Sequence, residues 1–160
     1  MTRQDRLLQE DVHDPYFVKQ KYRDPSVCEK CNVLFRNGVF EWVKKIPPNA
    51  SKIVCPACRR TKDSFEGGIV ALEGSFLSQH KSDILNIITN AEKAEQASRP
   101  LERIISLTDT GKRIEIRTTY EHIARRIGEA VRKAYKGELK VHYPESEKYA
   151  RVFWRRDHGR

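Results

Sequence analysis

The sequence predicts an α+β protein in which a four-cysteine ribbon precedes a helix and a ββαββ layer. Three observations lead to this prediction: two Cys-x-x-Cys pairs 23 residues apart, a hairpin pattern between them, and strand and helix periodicities in the last third of the chain. The chain accordingly divides into an N-terminal arm (1–25), a ribbon (26–63), a linker with an amphipathic helix (64–100) and a basic α+β domain (101–160).

The N-terminal arm, residues 1–25, shows no sustained apolar periodicity and contains two Asp-Pro pairs, Asp14-Pro15 and Asp24-Pro25, which favour turns. We expect an extended polar segment that is disordered in the free chain and becomes ordered on a partner, because it has little apolar surface to bury by itself. Its candidate aromatic anchors are Tyr16, Phe17 and Tyr22.

The four cysteines form the pairs Cys28/Cys31 and Cys55/Cys58. Two residues between cysteines let a tight turn bring both sulfurs to about 2.3 Å from one zinc ion. Four thiolates without a histidine favour a closed structural zinc site. The competing interpretations are disulfides, a redox-active pair and an iron–sulfur cluster. Disulfides suit oxidising compartments, a redox pair needs one Cys-x-x-Cys, and clusters usually show denser cysteine spacing.

The spacer between the two pairs contains its own hairpin pattern. Two short apolar stretches, 33–35 and 39–42, flank Asn37-Gly38, a dipeptide typical of type I′ turns. Strands this short bury too little apolar surface to be stable alone, so we expect a metal ion to crosslink their ends. Together with the cysteines, the hairpin predicts a zinc ribbon over residues 26–63.

The middle of the chain predicts one amphipathic helix over residues 75–97. Apolar positions recur there close to helical spacing, Ser75 is a candidate cap, and Gly67-Gly68 indicates a break upstream. The apolar positions are Phe76, Leu77, Ile84, Leu85, Ile87 and Ile88.

Residues 101–160 predict one helix packed on a four-stranded sheet. Apolar alternation on both sides of Asp109-Thr110-Gly111 indicates a hairpin. Thr118 and Glu121 fit a capping box at the start of the helix, and Gly137 fits its end. The last two strands are expected at residues 139–143 and 149–155.

The chain carries 31 basic and 22 acidic residues, a net charge of +9, with surpluses of +5 in residues 1–63 and +6 in residues 101–160. Two basic lobes favour a polyanionic partner, and nucleic acid is the commonest one in the cytosol. The sequence contains neither a stretch apolar enough for a membrane span nor a legible secretory leader. We therefore expect a cytoplasmic protein without a membrane partner.

Basic residues beside aromatic ones predict RNA contacts, because arginine binds phosphates and both arginine and aromatic rings stack on bases. The alternative is a solvated basic surface, and strand alternation requires that either Phe153 or Trp154 faces the core. The candidate RNA-binding residues are Arg36, Lys44, Lys45, Arg59, Arg60, Arg125, Arg126, Arg132, Lys133, Arg151, Trp154, Arg155 and Arg156.

The sequence shows no catalytic constellation. Its five histidines do not fall at metal-ligand spacing, and no glycine-rich phosphate loop, Gly-x-Ser-x-Gly elbow or paired-carboxylate arrangement occurs. We therefore expect a protein that is not an enzyme and takes no small-molecule substrate.

Several short stretches match the pattern of a known family. They are Cys55-Pro56-Ala57-Cys58-Arg59-Arg60, Gly74-Ser75-Phe76-Leu77 with His80, Pro100-Leu101-Glu102-Arg103-Ile104, and Thr118-Thr119 followed by Ala124-Arg125-Arg126-Ile127-Gly128-Glu129-Ala130. Over residues 25–156 the chain resembles a family of short uncharacterised bacterial zinc-ribbon proteins. It is more distantly similar to the zinc-binding N-terminal region of the archaeal and eukaryotic adaptor for large-subunit ribosomal export.

The resemblance implies binding to ribosomal particles, with Cys28, Cys31, Cys55 and Cys58 as zinc ligands. Ribbons often carry glycine just after the second cysteine of a pair, whereas Asn32 and Arg59 occupy those places here. Asn32 tolerates the left-handed conformation, whereas Arg59 leaves the exact turn of the second pair undetermined.

These observations predict a non-enzymatic, zinc-stabilised RNA-binding protein. We expect it to dock on the rRNA of the ribosome or of an assembling large subunit and to act, by occupying a functional site, as a dormancy, protection or assembly factor. The competing hypotheses are a protein-binding adaptor, which would recruit its partner through the mildly acidic middle helix, and a DNA-binding regulator.

Overall fold

The computed structural model describes residues 22–145 and 148–157, and over these residues the chain is an α+β protein with two sheets and four helices. Most of the predicted arm, including Tyr16 and Phe17, lies outside the described residues. The elements are, in chain order, β1 (Ser26–Cys28), β2 (Leu34–Arg36), β3 (Val39–Glu41), β4 (Ser51–Ile53), α1 (Pro56–Asp63), β5 (Gly68–Glu73), α2 (Ser75–Gln79), α3 (Lys81–Ser98), β6 (Ile104–Asp109), β7 (Arg113–Thr118), α4 (Glu121–Tyr135), β8 (Glu138–His142) and β9 (Ala150–Arg155).

The ribbon sheet has the order β3-β2-β1-β4, and each of its strands is three residues long. Strands β2 and β3 form the predicted hairpin, whose turn residues Asn37 and Gly38 have φ angles of 56° and 83°. A type I′ turn requires both positive φ angles. Tyr22, an expected partner anchor, instead packs its ring on the ribbon, with its centroid 5.3 Å from that of Phe35 and 5.7 Å from that of Phe40.

The second sheet, which together with α2, α3 and α4 we call the body, has five strands in the order β6-β7-β5-β9-β8. The predicted four-stranded layer is therefore wrong, because β5 comes from the segment that was expected to be a linker. It is the central strand, antiparallel to β7 and parallel to β9. Val70 and Leu72 of β5 are fully buried, so this strand also supplies the middle of the core.

Gly67 and Gly68, which we expected as a break upstream of the helix, lead into the central strand. A Cβ atom at Gly67 would lie 2.5 Å from the carbonyl oxygen of Thr119, and one at Gly68 would lie 2.7 Å from Cβ of Ala124. The two glycines are needed because the start of α4 crosses this end of the sheet at close range.

Strands β6 and β7 form the predicted hairpin in the body. In its turn the N–H of Gly111 donates to Oδ1 of Asp109 across 2.8 Å, and the N–H of Thr110 donates to the carbonyl of Arg113 across 3.0 Å. Gly111 has a φ of 96°, which explains the glycine at this position. Strands β8 and β9 also form within a residue of their expected bounds.

Helix α4 packs on the sheet, and α3 packs in turn on α4. A Cβ atom at Gly128 of α4 would lie 2.5 Å from a methyl carbon of Val152, so the glycine lets helix and sheet approach. The helix that we expected over residues 75–97 divides at His80 into α2 and α3. His80 stacks on Phe76, with ring centroids 3.9 Å apart.

The predicted capping box at the start of α4 is wrong. The N-cap residue is Tyr120, and Oγ1 of Thr118 donates to its carbonyl across 2.7 Å. The N–H of Ile123 in the first turn donates instead to Oε1 of Glu102, 3.0 Å away, so the residue that satisfies this N–H precedes β6. Burial raises the pKa of Glu102 to about 7, because losing water penalises the carboxylate more than this N–H stabilises it.

Trp154 belongs to the core, so the prediction that it stacks on RNA bases is wrong. Its side chain is fully buried, and its Nε1–H donates to the carbonyl oxygen of Lys136 across 2.6 Å. Phe153, its neighbour in β9, is half-buried on the opposite side of the strand.

We expect Trp154→Ala to lower the free energy of unfolding by about 3–5 kcal/mol, because the substitution leaves a cavity at the centre of the body. Denaturant unfolding followed by circular dichroism measures this loss. Tyr143→Ala is the control, since the Tyr143 side chain is 48% exposed and its removal should change stability by about 0.5 kcal/mol or less. Equal losses in the two variants would contradict the core assignment.

Glu102 gives the fold a pH dependence of defined sign. Its folded-state pKa of about 7 lies above the ordinary value of 4.5, so the folded protein holds this proton more tightly than the unfolded chain does. The associated stability is present below pH 4.5 and is lost as the pH rises towards 7. Glu102→Gln keeps an acceptor for Ile123 without titrating, so the variant should gain stability relative to the wild type between pH 5 and pH 8.

Chemical denaturation of both proteins across that range, with carboxyl NMR of Glu102, tests this pH dependence. Glu138→Gln, a change at an exposed position of β8, serves as the control and should follow the wild type at every pH. A Glu102 midpoint near 4.5 would contradict the expectation.

Candidate metal centre

The first cysteine pair lies in a turn that leaves β1. Cys28 is the last residue of β1, and its N–H donates to the carbonyl of Val33 across 2.9 Å while the N–H of Asn32 donates back to the carbonyl of Cys28 across 2.8 Å. Asn32 has a φ of 69°, in the left-handed conformation that asparagine tolerates. The turn therefore closes without the glycine that ribbons often use.

The second cysteine pair lies at the start of α1, which explains why Arg59 can follow it. Cys55 is the N-cap residue of this helix and its Sγ accepts the N–H of Cys58 across 3.4 Å, while Pro56 occupies the first helical position. Arg59 is thus a helical residue, and its position requires no left-handed conformation.

The structure brings the four cysteine sulfurs together, all within 4.8 Å of one another. Sγ of Cys28 lies 3.8 Å from that of Cys58, and Sγ of Cys31 lies 3.8 Å from that of Cys55. No pair is bonded as a disulfide. A tetrahedral ion with metal–sulfur bonds of about 2.3 Å would hold its ligands about 3.8 Å apart, so the four residues fit a metal ion in size and arrangement.

The surroundings of the sulfurs stabilise negative charge in part. The backbone N–H groups of Lys30 and Cys55 donate to Sγ of Cys28 across 3.4 and 3.3 Å. Burial, followed by the charge of neighbouring Cys31, raises the pKa of Cys58. Four thiolates this close repel one another, so a cation is required before all of them can ionise together.

Arg103, from the segment between α3 and β6, completes the site and was missed in the sequence. Its Nη2 donates to Sγ of Cys31 across 3.1 Å and its Nη1 to Sγ of Cys58 across 3.4 Å. Burial disfavours the charge on Arg103, but the hydrogen bond to Cys31 and the charges of Cys31 and Cys55 outweigh it and raise its pKa. A single arginine before a strand gives no sequence signal for such a contact.

Two further side chains join the ribbon to the body. Nε1 of Trp42 donates to the carbonyl of Gln96 across 2.9 Å. Arg60 is 3% exposed, donates from Nη1 to the carbonyl of Thr119 across 2.9 Å, and lies over the ring of Tyr120. Arg60 is therefore an internal contact between the two parts, and its prediction as an RNA-binding residue is wrong.

Four arginines that were expected to bind phosphates are already engaged within the body. Arg125 pairs with Glu129, Arg126 with Glu95 and Glu129, and Arg155 with Glu73 and Asp157, while Arg156 donates to the carbonyl of Tyr135 and lies over the ring of Phe76. These contacts compete with any phosphate for the same guanidinium groups.

The remaining candidates differ in their surroundings. Arg36 pairs with Glu41 in the ribbon, and Arg151 lies over the ring of Tyr149. The candidates that are exposed and form no ion pair with another described residue are Lys44, Lys45, Arg59, Arg132 and Lys133. The structure does not gather them into one patch, since the first three lie in the ribbon and the last two in α4.

A cleft of about 730 Å³ opens beside the metal centre, between the ribbon and the body. Four basic side chains line it, and one acid, Glu92, faces them while accepting the N–H of Ile104 across 2.7 Å. The basic residues are Lys30, Arg59, Lys62 and Arg103. The cleft therefore carries a net positive charge, and Lys30 is a residue that the sequence reasoning did not select.

The chain matches no protein-family model, no curated protein and no solved structure. The resemblance to short bacterial zinc-ribbon proteins and to the ribosomal export adaptor stays a prediction. Among the helices of the described residues, none has the length and apolar character that crossing a membrane requires.

We expect the purified protein to hold about one zinc ion per chain, and replacement of any one of the four cysteines by serine to unfold residues 26–63 while the body, which has its own core, stays folded. Metal analysis and amide hydrogen exchange measure the two effects. His142→Ala is the control, because this exposed histidine lies outside the site. A protein without zinc, or one with iron and visible absorbance, would show that the assignment is wrong.

Proposed function

We propose that this protein is a non-enzymatic, zinc-stabilised RNA-binding protein of the cytoplasm that docks on the ribosome or on an assembling large subunit. Its ribbon and cleft would contact rRNA, and its occupancy of a functional site would protect or block that site. The observation that carries the proposal is the positive cleft beside the metal centre.

Zinc suits the four sulfurs better than other metals do. The site offers four cysteine sulfurs alone, at a spacing that a tetrahedral ion would fit, and zinc takes four such ligands without redox chemistry. Its four ligands all come from the protein, which leaves no coordination position for a substrate. Such an ion stabilises the ribbon and supplies no catalysis, which supports a binding protein over an enzyme.

The exposed basic residues of the ribbon favour RNA as the partner. Lys30, Arg59 and Lys62 are exposed at the cleft and form no ion pair with another described residue, so binding a phosphate would break no internal contact. At Arg125, Arg126 and Arg155, by contrast, a phosphate must compete with carboxylates. Lys44, Lys45 and Lys52 add exposed positive charge elsewhere in the ribbon.

The cleft has the character of a site that binds the phosphate backbone of RNA. Lysine and arginine side chains with freedom to move bind phosphates without reading base identity, so affinity should depend on salt and little on sequence. RNA shape would then select the binding position, as is usual for proteins that recognise folded RNA.

The proposal predicts the effect of replacing Lys30, Arg59 and Lys62 together by alanine. Fewer counterions would be released on binding, so the slope of log affinity against log salt should become shallower by about 0.7–0.9 for each lost phosphate contact. Binding to rRNA fragments measured between low and high salt, and co-sedimentation with ribosomes, give the two readouts. The matched control replaces Arg132, Lys133 and Lys140, which are also exposed and remove the same charge.

The outcomes separate the competing functions. Loss of binding in the cleft variant with little change in the control supports the proposal, and the reverse result would place the RNA surface on the body. Equal competition by duplex DNA would favour a DNA-binding regulator. Ribosome association that does not depend on salt and is unchanged in both variants would favour a protein-binding adaptor.

A further inference from the structure

Arg103 contacts the metal centre although it belongs to the body. It lies directly before β6, yet its two terminal nitrogens reach the sulfurs of Cys31 and Cys58, at 3.1 and 3.4 Å, and Nη2 is 3.9 Å from the sulfur of Cys55. We infer that Arg103 is the positioning residue that couples metal occupancy to the docking of the ribbon on the body.

The body holds the Arg103 side chain in place for this contact. Its Nε donates to the carbonyl of Pro100 across 2.9 Å, which fixes the plane of the guanidinium group. The backbone N–H of Arg103 donates to Oγ1 of Thr119 across 2.9 Å, and the same hydroxyl donates to the carbonyl of Leu101 across 2.7 Å. On the ribbon side, the ring of Trp42 lies 5.7 Å from the guanidinium carbon.

The charge balance explains why such a contact stabilises both parts. Four thiolates around a divalent ion carry a net charge of about −2, and a partly buried guanidinium group supplies one compensating positive charge through directed hydrogen bonds. A buried arginine in turn needs an anionic partner to offset the loss of its hydration. The metal-loaded centre therefore supplies the anionic partner that Arg103 needs, and Arg103 offsets part of the negative charge of the centre.

Metal loss removes this partner. A bound ion holds the four sulfurs in one cluster, so without it the ribbon no longer presents them together to Arg103. Arg103 then loses its acceptors at Cys31 and Cys58, and the contact between ribbon and body weakens. Because coupling between two equilibria is reciprocal, removing Arg103 must in turn weaken metal retention. This relation holds with or without a bound RNA.

The test compares zinc-loaded Arg103→Gln and Arg103→Lys with the wild type in the rate of zinc transfer to an excess of a chromogenic chelator. Outer contacts of metal ligands typically change affinity by about 10–100-fold, so we expect release to be about 10–100 times faster in the Gln variant and less accelerated in the Lys variant. Arg113→Gln is the control. Arg113 is the first residue of β7 and pairs with Glu73 and Glu115, whereas Thr119, which contacts Arg103, follows the other end of that strand. It should release zinc at the wild-type rate.

A second measurement needs no variant. Amide hydrogen exchange of the wild-type protein, with and without chelator, should show that removing zinc exposes the amides of Arg103 and Thr119, which hydrogen-bond within the body at the contact. The amides of Val70 and Val152, in the central strands, should keep their protection. Unchanged zinc release in Arg103→Gln would overturn the inference. So would retained protection at Arg103 and Thr119 when the ribbon amides of the wild type have lost theirs.

Discussion

Mutual repulsion among four clustered thiolates, two buried and two half-buried, is the constraint on which the ribbon depends. The sulfurs lie within 4.8 Å of one another, while the strands of the ribbon are only three residues long. The ribbon buries Val33, Leu34 and Phe35 besides Cys28, Cys55 and Ala57. A core of this size cannot offset the conformational entropy of some forty residues, so we expect an ion bound by the sulfurs to supply the difference.

The body is stabilised in a different way. Its core joins β5, β7, β9 and three helices through large aliphatic side chains and Trp154. The side chains of this core are apolar, so the core does not depend on a metal ion. The two parts meet through Trp42, Arg60 and Arg103, whose nitrogens donate to carbonyl oxygens or to sulfurs across the boundary. Directed hydrogen bonds of this kind fix the orientation of the ribbon, whereas a broad apolar interface would fix mainly its proximity.

Local signals predicted local structure well. Asn37-Gly38 and Asp109-Thr110-Gly111 located both hairpins, and the cysteine spacing located the sulfur cluster, because each of these features is encoded within a few residues. The central position of β5 could not be predicted in this way. Its parallel pairing with β9 joins residues about eighty positions apart. The glycines at its start are explained by the close approach of α4, which is distant in the sequence, and a local turn does not explain them.

The errors at the candidate site have a different cause. Alternation in β9 requires one of Phe153 and Trp154 to face inward but does not say which, because either ring could fill the core. Arg60 was expected on a surface, and Arg103 was not selected at all. Arginines that are buried or half-buried are rare, and they depend on partners that lie far away in the sequence.

The distribution of charge gives the two parts different roles. Composition alone places the larger positive surplus in residues 101–160, yet in the folded protein much of that charge is paired with Glu66, Glu73, Glu95, Glu115 and Glu129. The ribbon carries the smaller surplus, but its lysines and Arg59 are exposed and form no ion pair with other described residues. Since a phosphate gains most from a cation that has no competing carboxylate, the ribbon would be the better surface for the RNA partner that we propose. In that proposal the body is the scaffold that holds the ribbon in position, and Arg103 belongs to both parts because it lines the cleft and contacts the sulfurs.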